Sequence, residues 1–154
     1  MLDDTGFAKT GIYLVGVAWQ YSGTLGRADN CQVAVSLHLA DERGSGCIGF
    51  RLYLVENWAD DRERCRDADV PDDVVYEPKW KLALGTIDQA LGWGVRPAVT
   101  LADSGYGDTT EFRDGLTERG LLYNYNVAGK GTTVVDWHHL LPQERRLREH
   151  LRRS

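Results

Sequence analysis

A mixed α/β sheet fold is what this sequence predicts, on three observations. Residues 33 to 55 alternate apolar and polar side chains at period two in two successive runs, the signature of paired strands. From Lys79 the apolar residues Trp80, Leu84, Ile87 and Leu91 fall at helical spacing. Residues 97 to 127 then pass through strand, turn, helix and strand within a short span, which places helices between strands of one sheet.

Taken in order, the opening MLDD reads as the stub of a strand's end. Residues 12 to 21, IYLVGVAWQY, carry β-branched and aromatic types on both alternating faces, as in a central strand covered twice. A Ser-Gly-Thr-Leu-Gly turn follows. Residues 33 to 40 put Val33, Val35, Leu37 and Leu39 on one face, and residues 48 to 55 repeat the pattern with Ile48, Phe50, Leu52 and Leu54. These three strands make an antiparallel meander. Residues 56 to 78 are charged and hold two prolines, which predicts a loop or insertion on the surface. A helix begins at Lys79 and ends at Gly92 or Gly94. In RPAVTLADSG, Ala98, Val99, Leu101 and Ala102 form a short buried strand that ends at Asp103. Asp108-Thr-Thr-Glu111 has capping-box spacing, with Phe112 and Leu116 on the helix it opens and Gly120 as its terminator. LLYNYNV, residues 121 to 127, is the final strand.

A chain of 154 residues fits one domain, and 42% hydrophobic content is globular rather than disordered. No signal peptide opens it and no apolar run approaches the roughly 20 residues of a membrane span, so the cytoplasm is the expected location and no membrane is a partner. The three cysteines, Cys31, Cys47 and Cys65, show neither CxxC nor Cys/His spacing, which predicts buried or idle thiols. A net charge of -5 argues against a broad basic surface gripping nucleic acid. The charge is uneven, however. Asp60, Asp61, Glu63, Asp67, Asp69, Asp72 and Asp73 crowd one segment, while Arg145, Arg146, Arg148, Arg152 and Arg153 load residues 129 to 154.

Asp103 stands where a strand ends, the position at which side chains in α/β sheets escape the core yet stay rigidly held. A lone Asp beside Gly usually caps a turn, so a chemical role needs a partner. The other acids in a comparable setting are Asp3 and Asp4. As strings, Asp4-Thr5-Gly6 and Asp103-Ser104-Gly105 match the paired loops of aspartic proteases, whose carboxylates share a proton. Those proteases are β-rich lobes, whereas helices flank Asp103, so the protease is kept only as a minor alternative. The order of three antiparallel strands followed by α-β-α-β suits a ribonuclease-H-like sheet, in which the first and fourth strands lie side by side. Acids on those strands converge, and converging carboxylates select a hard divalent cation such as Mg²⁺ or Mn²⁺. Paired ions activate an attacking oxygen and stabilise the leaving one in phosphodiester cleavage.

DDTGF with Lys9 and Gly11, VGVAWQYSGTLGRADNCQVAVSLHLA, RLYLVENWADD, EPKWKLAL and LADSGYGDTTEFRDGL together resemble the DDE transposases of bacterial insertion sequences, in particular the group numbered 701. The likeness is collinear over residues 2 to 127. It implies an incomplete ribonuclease-H-like catalytic core (residues 1 to 128) that cuts and joins transposon ends with Mg²⁺, DNA as partner and the bacterial cytoplasm as location. It places the family's first acid on Asp3, with Asp4 beside it as second choice, and the second acid on Asp103, so that Asp3 and Asp103 hold the metal. Family members are longer and carry a third acid, a Glu within a Tyr, Arg, Glu, Lys signature on a later helix. Arg145 and Glu149 reproduce the Arg-to-Glu spacing, but the matching Tyr position is Pro142, and an arginine-rich amphipathic tail yields such pairs readily. Glu149 is therefore not taken as that acid. The resemblance fades after about residue 128, so the reading is a truncated core inactive alone, with a non-catalytic DNA-binding or relic domain as the alternative.

Among the remaining candidates, His138 and His139 lack a partner at ligand spacing and read as an exposed loop. His38 reads as packed or at the surface. Trp19, Tyr21 and Asn30 line the groove by resemblance, although aromatics on strands are more often core. Lys9 is a candidate contact to DNA phosphate, weighed against an ordinary solvated lysine.

Overall fold

A computed structural model describes residues 1–126 and 133–135. They divide into two compact units, Met1–Arg96 and the residues from Pro97 onward. Each has its own sheet.

The first unit contains β1 (Leu2–Ala8), β2 (Ala18–Ser22), β3 (Arg27–Asp41), β4 (Gly44–Tyr53), α1 (Glu56–Asp60), α2 (Arg62–Asp67) and α3 (Lys79–Gly92). The long β3 pairs antiparallel with the three other strands: Leu2 lies opposite Leu37, Ala18 opposite Cys31 and Val33 opposite Tyr53. Residues 33 to 37 of β3 are all buried, because strands flank both its edges and small or apolar side chains project from both its faces. α3 spans the helix the periodicity predicts, with Ala83, Leu84, Ile87 and Ala90 buried. It lies close to β4 at Gly49, where an added Cβ would sit 2.3 Å from Thr86 Cγ2. Contacts from Thr86 to Gly49, Gln89 to Arg51 and Lys79 to Asp4 put α3 over one face of the sheet. Period two along β1 sets Asp4 on that face with Leu2 and Gly6, and Asp3 on the opposite face with Thr5 and Phe7.

Three expectations need correction here. MLDD opens a full seven-residue strand rather than a stub. The expected strand at 12 to 21 is reduced to β2, because Gly11 (φ 93°) and Gly16 (φ 74°) take left-handed conformations and the Val17 amide donates to the Leu14 carbonyl in a turn. Ile12, Tyr13 and Leu14 are consequently exposed. The charged segment 56 to 78 holds two helices rather than a plain loop. Leu54, Trp58, Ala59 and Cys65 form a buried cluster, with Val15, Val55, Ala68, Val70 and Val74 against it. The Trp58 indole N–H donates to the Val17 carbonyl at 3.0 Å, the Arg64 guanidinium lies 3.9 Å from the ring centre, and Asp61 caps α2 by accepting from the Arg64 amide.

The second unit contains β5 (Thr100–Ala102), α4 (Ser104–Gly107), α5 (Thr110–Glu118), β6 (Tyr123–Asn126) and β7 (Thr133–Val135). β5 runs parallel to β6, with the helices as the crossover, and β7 pairs antiparallel with β6. Among its described residues Tyr106, Phe112, Leu116 and Tyr123 are buried, Tyr106 and Phe112 having ring centres 5.4 Å apart. Gly120, at φ 65°, ends α5 as expected. The segment leading into and through β5 is less covered than its apolar sequence predicts, since Thr100 is buried but Val99, just before the strand, and Leu101 are 40% and 42% exposed. The capping box is also displaced. Asp108 closes α4, and α5 starts from Thr109 with no side-chain cap bond.

Gly107 shows why the turn after β5 needs glycine. An added Cβ would lie 2.1 Å from Tyr125 Cδ2, so Gly107→Ala must displace a ring pinned on β6. The expected loss is about 1–3 kcal/mol, read from urea unfolding; an unchanged midpoint would show that the ring moves aside freely.

Candidate active site

Asp3 projects from β1 opposite Ser36, is exposed, and accepts from the Asp4 amide at 2.8 Å through Oδ1. Its strand is held by side-chain bonds as well as the ladder: Ser36 Oγ donates to the Asp3 carbonyl at 3.1 Å and lies 3.3 Å from Thr5 Oγ1 and 3.1 Å from His38 Nε2. His38 is thereby a half-buried partner of Ser36. Asp4 faces α3, and its carboxylate pairs with Lys79 Nζ at 2.5 Å. Lys79 also stands 5.2 Å from the Tyr53 ring centre. Burial, with Tyr76, Glu56 and Asp4 nearby, pushes the Tyr53 phenol up to about 12. Two adjacent acids thus have different settings, one exposed at the sheet surface and one locked to a helix.

Asp103 follows β5 directly and caps α4, its Oδ1 accepting from the Tyr106 amide at 3.2 Å. The turn-capping role is therefore real. The carboxylate is nevertheless exposed, and a cap bond to one oxygen orients the group without removing its capacity as a hard ligand. Gly105 keeps the space beside it open, since a Cβ there would lie 3.2 Å from Asp103 Oδ1.

Asp3 and Asp4 belong to the first unit and Asp103 to the second. Among the described residues, no three His, Cys, Asp or Glu side chains are grouped to hold a metal. Asp3 and Asp103 offer oxygen donors only, which suits Mg²⁺ or Mn²⁺ and not a soft metal. The protease strings sit in unlike settings, because Asp4-Thr5-Gly6 runs inside β1 and Asp103-Ser104-Gly105 opens a helix. Glu149, His138, His139 and the arginines of the tail lie outside the described residues. Cys31 and Cys65 are buried and Cys47 is exposed, all as free thiols; burial, with the nearby Asp29 charge, raises the Cys31 thiol.

Lys9 donates its amide to Asn30 O, and its ammonium stands 6.0 Å from the Phe7 ring centre. Asn30 Nδ2 donates to the carbonyls of Lys9 and Gly11, fixing the loop after β1. Trp19 and Tyr21, which strand statistics assign to the core, are 74% and 65% exposed. Sequence reasoning also missed Lys79, whose position at the start of α3 hid a pairing with an acid 75 residues earlier.

Separating Asp4 from Asp3 is testable. Asp4→Asn, which removes a partly buried ion pair, should cost about 1–2 kcal/mol in urea unfolding and leave divalent-metal binding unchanged. A loss of metal binding in Asp4→Asn without one in Asp3→Asn would reverse the assignment.

A family model described as DDE superfamily endonuclease matches residues 1–152. A probable transposase for insertion sequence element IS701 from Microchaete diplosiphon is 32% identical over 145 residues. The match covers 94% of this chain and 34% of that protein, so the chain spans about a third of the length of its relative. No solved structure gives a significant match. The mixed α/β architecture, antiparallel strands first and helices after, is compatible with such a nuclease, and the chain belongs to the DDE superfamily of endonucleases.

Proposed function

We propose that this chain carries the first two carboxylates, Asp3 and Asp103, of a divalent-metal site for cleaving and joining DNA strands in transposition. The observation that carries the choice of acids is the contrast on β1: Asp4 is tied to Lys79, whereas Asp3 stands exposed on the face away from α3. When bound, Mg²⁺ or Mn²⁺ supplies charge stabilisation to the attacking and leaving oxygens of the phosphodiester. The protein's own part is positional. The β1–β3 ladder with Ser36 holds the backbone of Asp3, and the α4 cap orients Asp103. DNA ends and a target are the substrates this chemistry requires.

Two carboxylates leave Mg²⁺ mostly hydrated and weakly held, so the chain alone falls short of the full reaction. A second reading is DNA binding without catalysis. Calorimetric titration with Mg²⁺ and Mn²⁺ tests the proposal. Weak binding that disappears in Asp3→Asn and in Asp103→Asn is expected, and binding indifferent to both substitutions would refute it.

A further inference from the structure

Beyond the metal site, one sheet face of the first unit presents a row of exposed aromatic rings. Register places them together. Trp19 lies opposite Asn30 and Tyr21 opposite Ala28 on β3, while Phe7 lies opposite Gln32 and Phe50 opposite Ser36. All four β3 partners are even-numbered, so the four rings share the face that carries Thr5 and Asp3, away from α3. Trp19, Tyr21, Phe7 and Phe50 are 74%, 65%, 41% and 52% exposed. Phe7 and Phe50 meet edge to face with centres 6.1 Å apart, and Lys9, bonded to Asn30 on the edge opposite Trp19, stands beside Phe7.

Leaving such rings in water is unfavourable unless a ligand covers them. Their kind and company favour unpaired DNA bases over an aliphatic protein surface. Residues two apart on a strand are about 6.6 Å apart, close to twice the 3.4 Å rise per nucleotide of a DNA strand, so Trp19 and Tyr21 leave a slot one base thick between them. Lys9 supplies a cation for the accompanying phosphate, and the row continues along β1 to the acid expected to hold the metal. Stacking is tolerant of sequence, as strand-end handling demands.

We propose that this face is a stacking platform for unpaired nucleotides of the DNA being processed, with Trp19 and Tyr21 as its principal rings and Lys9 as its phosphate contact. The proposal rests on the DNA-processing reading but not on the metal. The test is fluorescence anisotropy of a labelled 12-nucleotide single strand and of a 12-base-pair duplex, in EDTA, with the whole chain. The single strand should bind more tightly. Trp19→Ala and Tyr21→Ala should each weaken it roughly fivefold or more, with far-ultraviolet dichroism unchanged, and Trp19→Phe should restore most of the loss. Lys9→Ala should lower the salt slope by about 0.7. Equal binding of single strand and duplex, or wild-type affinity in both alanine variants, would overturn the platform. So would a concentration-dependent dimer that Trp19→Ala dissolves, which assigns the face to a second copy. Mg²⁺ calorimetry beside the single-strand assay separates the two readings. Single-strand binding that survives while Mg²⁺ never binds the unmodified chain sinks the metal site alone, whereas Mg²⁺ binding at Asp3 without single-strand preference sinks the platform alone.

Discussion

Trp58→Ala is expected to lower stability by about 3–5 kcal/mol, the range for emptying a large buried aromatic site. Trp58 has no exposed surface, closes the cluster of Leu54, Ala59 and Cys65, and donates its indole N–H to the Val17 carbonyl. The substitution therefore leaves a cavity, a buried carbonyl without its donor, and an Arg64 guanidinium without the ring it covers. Since domains of this size are stable by only about 5–15 kcal/mol, the variant should unfold at a markedly lower urea concentration. Trp93, 60% exposed at the end of α3, is the control, and Trp93→Ala should change stability by no more than about 0.5 kcal/mol. A urea midpoint for Trp58→Ala close to that of the unmodified chain would show that segment 56 to 78 is no part of the core.

The second large effect is on chemistry. If Asp3 and Asp103 alone hold the metal, as proposed, the chain incubated with a labelled duplex bearing transposon ends, in Mg²⁺ and again in Mn²⁺, should cut or join at least about a hundredfold more slowly than a DDE enzyme with three metal-holding acids. Removing one group that stabilises developing charge typically costs that much in rate. The acidic balance of -5 compounds the deficit, because non-specific grip on DNA scales with the phosphates neutralised. Asp103→Ala is the control for contaminating nuclease. Robust cleavage by the unmodified chain that vanishes in the control would establish a complete site and contradict the proposed shortfall.

How far the sequence could be read depends on the length scale over which each feature is encoded. α3 was legible because fourteen residues give the helical period room to repeat. β3 and β4 were legible because their alternation is sustained, and Gly120 because a left-handed terminator has few alternatives. α1 and α2, five and six residues long, complete less than two turns each, so their charges concealed Trp58 and Cys65. Residues 12 to 17 misled because β-branched composition reports a preference for packed surfaces, while Gly11 and Gly16 decide the backbone. At the candidate site the acids were visible as residue types. What distinguishes Asp3 from Asp4 is a partner on α3 and a choice of sheet face, and neither is written in the residues around them. The exposure of Trp19 and Tyr21 was hidden likewise, because the same aromatic strand suits a core or a binding face.

The claim that Asp3 and Asp103 share one metal site is tested most directly by paramagnetic broadening of backbone amide signals during a Mn²⁺ titration. The signals of both Asp3 and Asp103 should disappear in parallel, at the same Mn²⁺ concentration, and Asp3→Asn or Asp103→Asn should protect both positions. Broadening at one aspartate while the other stays sharp, or broadening at both that each substitution relieves only at its own position, would contradict a shared site.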